Sequence, residues 1–364
     1  PDVVKEISSS YLDAGADIIT TNSFNANEFS LNEYGLENYT YKINHAAARL
    51  AKESVQTYST KEHPRFVAGT IGPTNKTTSI PPNINQSALR DTTFDELVAV
   101  YSIQAKALIE GGADILLIET VFDTLNAKAA LYAIKEIRLK SGTSVPVMVS
   151  GTIDESGRNL SGQTVEAFFN TLEPFGLFSI GLNCSFGAEK MIPYLERLAV
   201  KSTVNVSAHP NAGLPNEFGD YEQSAIEMAR DMESYLANGL VNIIGGCCGT
   251  TPDHIKALRR ISDKYNPRVI LPHSRTTRLS GLQSLGIKES TRLIKVGEKT
   301  NATGSKKFLQ LIEEERYDEA LLVAKKQVEA GSDMLNISVD ESMINSIEVL
   351  PYFVNMLSAE PDVA

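Results

Sequence analysis

Two adjacent cysteines, Cys247 and Cys248, lie in a glycine-rich stretch of a 364-residue chain that contains only one other cysteine, Cys184. Thiolates are the soft ligands and the nucleophiles among protein side chains. An odd number of cysteines that includes a vicinal pair does not fit a disulfide framework. A thiol redox protein is also disfavoured, because adjacent cysteines form a strained disulfide and the C-x-x-C spacing is missing. The pattern therefore predicts a metal site or another thiol chemistry.

Three thiolates suit Zn²⁺ by softness and number, and they leave the fourth tetrahedral position open, as in catalytic zinc sites. The sequence after the pair favours thiolates, because Thr251 and Pro252 predict the N-terminus of a helix. Three anionic sulfurs make zinc a weak Lewis acid toward water but a good holder of another thiolate. The predicted substrate is therefore a thiol that becomes alkylated. The alternative is that each cysteine is a small buried hydrophobic residue, the commonest role of a free cysteine.

Two further residues could occupy the fourth coordination position of zinc in the absence of substrate. His209 and Asn211 follow the strand predicted between the cysteine segments. A histidine nitrogen or an amide oxygen there could fill the fourth position until a substrate thiol displaces it. The alternatives are an ordinary loop histidine and a turn residue before Gly213.

Seven short apolar segments predict buried strands, and amphipathic segments such as 94–111 and 223–239 predict helices between them. The strand segments are 16–24, 65–72, 113–120, 145–153, 178–185, 203–209 and 240–249. Buried strands separated by helices indicate a parallel sheet, and the glycine-rich phosphate turn of an open doubly wound sheet is missing. Because the chain opens on a predicted helix, 2–15, we predict an α/β fold, a (β/α)8 TIM barrel that lacks its first strand. In such a barrel all three cysteines lie at the carboxyl ends of strands and converge on one mouth.

The periodicity divides the chain into three parts. Residues 1–265 form the predicted zinc barrel, and residues 266–292 lack periodicity and predict a linker. The alternation restarts with strands at 293–301 and 332–340 and helices at 317–331 and 346–357. Residues 293–364 are therefore predicted to be the first two βα units of a second, truncated TIM barrel, and the chain to be a fragment.

Composition excludes several classes of partner. The chain carries 45 acidic and 34 basic residues, a net charge of −11 that repels a phosphate backbone. No apolar run approaches the roughly 20 residues of a membrane span, and the N-terminus lacks the apolar core of a signal peptide. We predict a cytoplasmic protein with no nucleic-acid or membrane partner.

Three motifs resemble the homocysteine S-methyltransferase family: residues 181–187 (GLNCSFG), 207–214 (SAHPNAGL) and 245–251 (GGCCGTT). Residues 68–75 (AGTIGPTN) and 117–128 (LIETVFDTLNAK) look like two further strand ends of that family. The resemblance implies that Cys184, Cys247 and Cys248 hold zinc and are catalytic, and that the sulfur of homocysteine takes the open position and receives a methyl group. It also implies that Glu119 pairs with the substrate ammonium and that Asn211 is a substrate contact. The alternative for Glu119 is that it caps the next helix.

The second half resembles the start of the pterin-binding barrel of the cobalamin-dependent methionine synthases, on residues 296–305 (VGEKTNATGS) and the helix that follows. In that subfamily a methyl group passes from methyltetrahydrofolate to methylcobalamin on further modules and then to homocysteine. The resemblance implies that Thr303, Gly304 and Ser305 approach folate, and that the partner is the cobalamin-binding module of the full-length protein. The alternative is that these three residues only form the turn before the helix.

Two other functions stay open at this point. A stand-alone homocysteine methyltransferase that uses betaine or a sulfonium donor needs no second barrel. A noncatalytic zinc-binding scaffold requires a fourth protein ligand that an added thiol cannot displace.

Overall fold

The computed structural model describes residues 1–83, 85–273, 276–288 and 293–363. The chain divides into two compact units. The first comprises Pro1–Lys76 and Thr92–Arg275, and the second comprises Thr77–Asp91 and Thr276–Ala364.

A seven-stranded parallel sheet forms the centre of the first unit, and its strands are hydrogen-bonded in the order in which they occur along the chain. The strands are β1 (Ile18–Thr20), β2 (Phe66–Ile71), β3 (Ile115–Val121), β4 (Val147–Gly151), β5 (Ser179–Asn183), β6 (Asn205–His209) and β7 (Ile243–Ile244). Six of the seven predicted strand segments contain one of these strands in full, and β3 extends one residue beyond the predicted segment 113–120. Buried faces on both sides explain the continuous apolar runs.

Helices follow the strands in βα alternation. They are α1 (Asp2–Asp13), α2 (Glu28–Asn32), α3 (Thr40–Tyr58), α4 (Phe94–Glu110), α5 (Thr124–Ser141), α6 (Val165–Leu172), α7 (Ala188–Ala199), α8 (Ala225–Ala237) and α9 (Pro252–Ser262). Capping boxes are present at the start of α4, with Thr93 and Glu96, and at the start of α8, with Ser224 and Glu227. Nowhere in the described ranges is a helix both long and apolar enough to cross a membrane.

The sheet curls, because its first and last strands pack on the same inner cluster. Ile18 of β1 and Ile243 of β7 both pack on this cluster. Its buried members are Ala68, Ile115, Leu117 and Met148. Outside the sheet, the Tyr11 hydroxyl of α1 donates a hydrogen bond to the carbonyl oxygen of Thr250, 2.9 Å away and just before α9. The first unit is therefore an α/β half-barrel, consistent with a TIM-like barrel.

The segment predicted as a linker, 266–292, differs from that expectation. Its beginning closes the first unit, because the buried guanidinium of Arg268 donates to the carbonyl oxygens of three residues. These are Ala199, Ser202 and Val204. Further along, β8 (Thr277–Ser280) and β9 (Ser284–Ile287) form an antiparallel hairpin. Strands this short leave little periodicity in the sequence; residues 274, 275 and 289–292 of the predicted linker lie outside the described residues.

The second unit contains two parallel strands, β10 (Val296–Asn301) and β11 (Met334–Ser338). Three helices accompany them, α10 (Lys306–Glu313), α11 (Tyr317–Glu329) and α12 (Ser346–Ser358). Their core includes an edge-to-face pair of Phe308 and Phe353 with ring centroids 5.4 Å apart. The segment Thr77–Asp91 also belongs here, and sequence analysis did not foresee this. Asn355 of α12 donates to the carbonyl oxygen of Ala88. The βα alternation is confirmed, whereas a second barrel stays a prediction.

The Arg268 contacts predict a large effect on stability. In Arg268→Ala, buried carbonyl groups lose charged donors, so we expect the free energy of unfolding to fall by about 3 kcal/mol. Urea denaturation measures the change, and Arg260→Ala, an exposed arginine of α9, is the matched control. Equal stability of the two variants would contradict the role of Arg268.

Candidate metal centre

The three cysteines lie together at the carboxyl end of the half-barrel. Cys184 directly follows β5, and Cys247 and Cys248 lie between β7 and α9. All three are free and partly buried, and their Sγ atoms lie within 4.8 Å of one another. The Sγ atoms of Cys184 and Cys248 are 3.4 Å apart. Three thiolates on one tetrahedral zinc at about 2.3 Å would lie about 3.8 Å apart, so this spacing is compatible with a bound metal ion.

Backbone hydrogen bonds hold the cysteine loops to the end of β6. The N–H of Cys184 donates to the carbonyl oxygen of His209, at 3.2 Å, and the N–H of Cys247 donates to that of Pro210, at 2.8 Å. Cys184 has a φ of +58°, in the left-handed region that residues with a Cβ rarely adopt. Such a conformation persists only when the surrounding contacts determine it, and it concentrates at functional sites.

Asn211 joins the two cysteine loops through its side chain. Its Oδ1 accepts the N–H of Cys248 at 3.1 Å, and its Nδ2 donates to the carbonyl oxygen of Cys184 at 3.5 Å. The side chain is 4% exposed. These bonds give Asn211 a place in the scaffold of the site, and its contact with substrate stays a prediction.

His209 lies at the end of β6, next to the site. Its ring is so close to Gly245 that a Cβ there would lie 2.9 Å from the ring's Cδ2. Burial lowers the pKa of His209 to about 4, so the ring is neutral at pH 7. Within the described ranges, no His, Asp or Glu side chain joins the three sulfurs as a fourth potential ligand.

The sulfurs also share protons. The pKa of Cys247 is lowered to about 6, because the thiol of Cys184 and the amide of Asn183 donate to its sulfur. The same hydrogen bond, together with burial, raises the pKa of Cys184. One thiolate is therefore available near neutral pH, and thiolates are the metal-binding form of cysteine.

Glu119 lies near the end of β3, and its pKa is raised to about 7. Burial is the main cause, and the negative charge of Cys247 is the second. No ion pair to Glu119 occurs in the part of the chain that the structure describes. The alternative role as a helix cap is wrong, because Asp123 caps α5 and accepts the N–H groups of Leu125 and Asn126. A carboxyl group without a cation beside a thiolate suits a positively charged ligand.

Two residues of the site escaped sequence analysis. Tyr221 packs on Gly249, where an added Cβ would lie 2.2 Å from the Cβ of Tyr221. Burial raises the pKa of Tyr221, and a hydrogen bond with Cys248 raises it further. Asn183 reaches Cys247 from the end of β5. Neither has a sequence signal of its own, although Asn183 directly precedes Cys184.

In the second unit, Thr303, Gly304 and Ser305 form the turn between β10 and α10. Ser305 is the N-cap of α10, since its hydroxyl accepts the N–H of Phe308 at 3.4 Å. The backbone N–H of Thr303 donates to Oδ1 of Asn301 at 3.1 Å. This is the turn structure of the alternative interpretation, and an additional contact with folate stays a prediction.

A polar group that the sequence did not reveal lies beside this turn. The Nδ2 atom of Asn336 on β11 is 3.0 Å and 2.9 Å from the two carboxylate oxygens of Glu298 on β10. Nδ2 of Asn301 donates to the same carboxylate at 2.8 Å. These bonds, the one from Asn336 first, lower the pKa of Glu298. The exposed group thus presents a carboxylate and two oriented amides.

A comparison with known protein families shows to which family this chain belongs. The profile of the family described as Homocysteine S-methyltransferase matches residues 1–262, most of the chain. The chain belongs to the homocysteine S-methyltransferase family. Membership supports a methyltransferase that acts on homocysteine, and the cysteine cluster is compatible with the metal binding typical of the family.

Solved structures agree on the fold of the family barrel. The oxidized form of the homocysteine methyltransferase MmuM from Escherichia coli is similar to this chain with a TM-score of 0.58 and 20% identity, over 71% of this chain and 84% of that chain. Its metallated form gives a TM-score of 0.55 with the same identity and coverage. The apo form gives 0.54 at 21% identity, over 72% and 86% of the two chains.

The raised pKa of Glu119 predicts that ionisation of this carboxyl group destabilises the folded protein. The unfolded carboxyl ionises near pH 4.5 and the folded one near 7, so the wild-type protein loses stability as pH rises between these values. In the absence of ligands, we compare the free energy of unfolding of Glu119→Gln with that of the wild type. The advantage of the variant should be about 1–3 kcal/mol larger at pH 8 than at pH 5. Chemical denaturation at both pH values measures this, with exposed Glu217→Gln as control. A stability difference independent of pH would contradict the assignment.

Proposed function

We propose that this chain transfers a methyl group to the thiol of homocysteine, giving methionine, with the homocysteine sulfur held on Zn²⁺. The observation that carries the proposal is the convergence of three free cysteine sulfurs within 4.8 Å at the barrel mouth. The match of residues 1–262 to the homocysteine S-methyltransferase family supports the choice of substrate.

Cys184, Cys247 and Cys248 would hold the zinc ion. Their donor set fits, because three soft ligands leave one tetrahedral position for a fourth sulfur. Bound there, zinc would lower the pKa of the homocysteine thiol and leave the sulfur nucleophilic. The homocysteine methyltransferase MmuM, which is similar in fold, has a metallated form, and this supports metal binding by this protein.

Glu119 would bind the other end of homocysteine. The substrate carries an ammonium group, and Glu119 offers a carboxyl group with a pKa of about 7. Approach of the cation favours the ionised carboxylate and lowers its pKa again. Homocysteine would therefore relieve the electrostatic cost that burial imposes on Glu119, which favours the amino acid over a plain thiol.

For the methyl donor we propose methyltetrahydrofolate, with the methyl group carried by methylcobalamin on a cobalamin-binding module of the full-length protein. This places the chain with the cobalamin-dependent methionine synthases, and it interprets the second unit as the start of a pterin barrel. The two parallel βα units and the polar group of Glu298, Asn301 and Asn336 support the proposal. A pterin edge carries both donors and acceptors, which a carboxylate and two amides can match.

Two alternatives make different predictions. A stand-alone homocysteine methyltransferase that uses betaine or a sulfonium donor needs no second unit, and the similarity in fold to the homocysteine methyltransferase MmuM is compatible with it. A noncatalytic zinc scaffold needs a fourth protein ligand, and no His, Asp or Glu of the described residues supplies one. The free cysteines also suit a reducing compartment, which supports our proposal of a cytoplasmic location.

A donor comparison tests the function. Zinc-loaded protein with homocysteine should form methionine, detected by mass spectrometry, from free methylcobalamin and not from betaine or a sulfonium donor. In Cys247→Ser we expect the rate to fall by at least about 100-fold through loss of a zinc ligand. Thr250→Ser in the same turn keeps its hydrogen bond to the carbonyl oxygen of Cys247 and should stay active. Methionine from the small donors alone would favour the stand-alone enzyme, and no methionine from any donor would contradict the proposal.

A further inference from the structure

Asn183 is a fully buried residue at the end of β5, and its side chain reaches two other parts of the site. Its Oδ1 accepts the backbone N–H of Thr120 at 3.0 Å, and its Nδ2 donates to the hydroxyl of Thr120 at 2.8 Å. The same Nδ2 lies 3.8 Å from Sγ of Cys247. One amide thus links the end of β3 to a candidate metal ligand on the loop after β7.

The orientation of this amide follows from its partners. The backbone N–H of Thr120 can only donate, so it requires the oxygen of Asn183 and not the nitrogen. The two amide N–H groups then point to the Thr120 hydroxyl and the Cys247 sulfur, which can both accept. Each N–H of the side chain has a partner, so the amide is fixed in one orientation.

The Thr120 end of this link directly follows Glu119 in an irregular part of β3. The pairing of β3 with β4 shifts register between Ile118 and Val121, so Glu119 and Thr120 lie in the irregularity. Thr120 has a φ of +57°, which is costly for a β-branched residue. Strand irregularities next to active sites re-aim side chains, and they persist only when neighbouring groups hold them. Asn183 supplies two hydrogen bonds to Thr120 that help to hold the irregular backbone conformation there.

We propose that Asn183 is a positioning residue that ties the Cys247 sulfur to the turn carrying Glu119, so that the thiol and the ammonium group of homocysteine are recognised at a fixed separation. This inference rests on the proposed function, because it assigns the two ends of that substrate. It predicts that the metal site and amino-acid selectivity depend on a single amide.

The variant Asn183→Asp separates this role from general packing. Aspartate has nearly the same shape and still accepts the N–H of Thr120. It loses both donors and places a negative charge beside the Cys247 thiolate. Asn44→Asp is the matched control, because Asn44 is equally buried and donates to two carbonyl oxygens, those of Ala26 and Thr40. Both variants lose buried amide donors, but only one of the two residues contacts the site.

The experiment measures binding on the Co²⁺-loaded protein, through the sulfur-to-cobalt charge-transfer bands. We titrate Co²⁺ first, then homocysteine, then 4-mercaptobutanoate, which is homocysteine without its amino group. Asn183→Asp should change Co²⁺ affinity by about tenfold or more, because a negative charge replaces the hydrogen-bond donor beside the Cys247 sulfur. The preference for homocysteine over 4-mercaptobutanoate should fall by at least about fivefold, as expected when a substrate-binding carboxylate loses its position. Asn44→Asp should change neither quantity by more than about twofold. A folded Asn183→Asp protein with wild-type values for both quantities overturns the proposal.

A second measurement needs no variant. In ¹¹³Cd-loaded wild-type protein with ¹⁵N-labelled asparagine, the N–H to sulfur hydrogen bond should give a scalar coupling between the Asn183 amide and the metal. Its absence would overturn the proposal even if Asn183→Asp does not fold. Failure of the proposed function looks different: wild-type protein would then bind no metal, or homocysteine would leave the cobalt spectrum unchanged.

Discussion

The site depends on the close approach of three cysteine sulfurs, a constraint that works against folding. Thiolates within 4.8 Å of one another repel, and thiols there must share protons, as the opposite pKa shifts of Cys184 and Cys247 show. A cation at the centre removes the repulsion, so metal binding and the stability of this loop cluster are expected to be coupled. Backbone hydrogen bonds from Cys184 and Cys247 to the end of β6 hold the two cysteine loops close together despite this repulsion.

The parallel sheet brings the three sulfurs together at the carboxyl ends of its strands. Carboxyl ends of neighbouring strands meet at one edge, so residues distant in sequence, such as Cys184 and Cys247, come close to one another. The remaining precision comes from two buried asparagines. Asn211 ties the cysteine loops to each other, and Asn183 ties Cys247 to Thr120. Glu119 also carries a cost for folding, because burial and the nearby charge of Cys247 raise the pKa of its carboxyl group.

The strands and the approach of the cysteines can be predicted from the sequence, because both follow from strong local signals. Apolar runs between amphipathic segments define buried strands, and a vicinal pair after such a run must lie at the mouth. The roles of Asn183 and Asp123 could not be predicted in this way. Asn183 contacts the irregular end of β3, where Thr120 has a positive φ, and Asp123 caps the helix that follows this strand. The irregular backbone there has no sequence signature of its own. The contacts of Arg268 and the membership of Thr77–Asp91 in the second unit escaped for a related reason. Both features involve long-range hydrogen bonds made by segments that show no hydrophobic periodicity.

The proposed function requires three cysteines that hold a metal and a remaining coordination position that accepts the substrate sulfur. X-ray absorption at the zinc edge, recorded on zinc-loaded protein with and without homocysteine, is the most decisive measurement of this arrangement. We expect three sulfur ligands and one lighter atom in the free protein, and four sulfurs once homocysteine is added. A first shell that homocysteine leaves unchanged, or protein that retains no zinc, would contradict it.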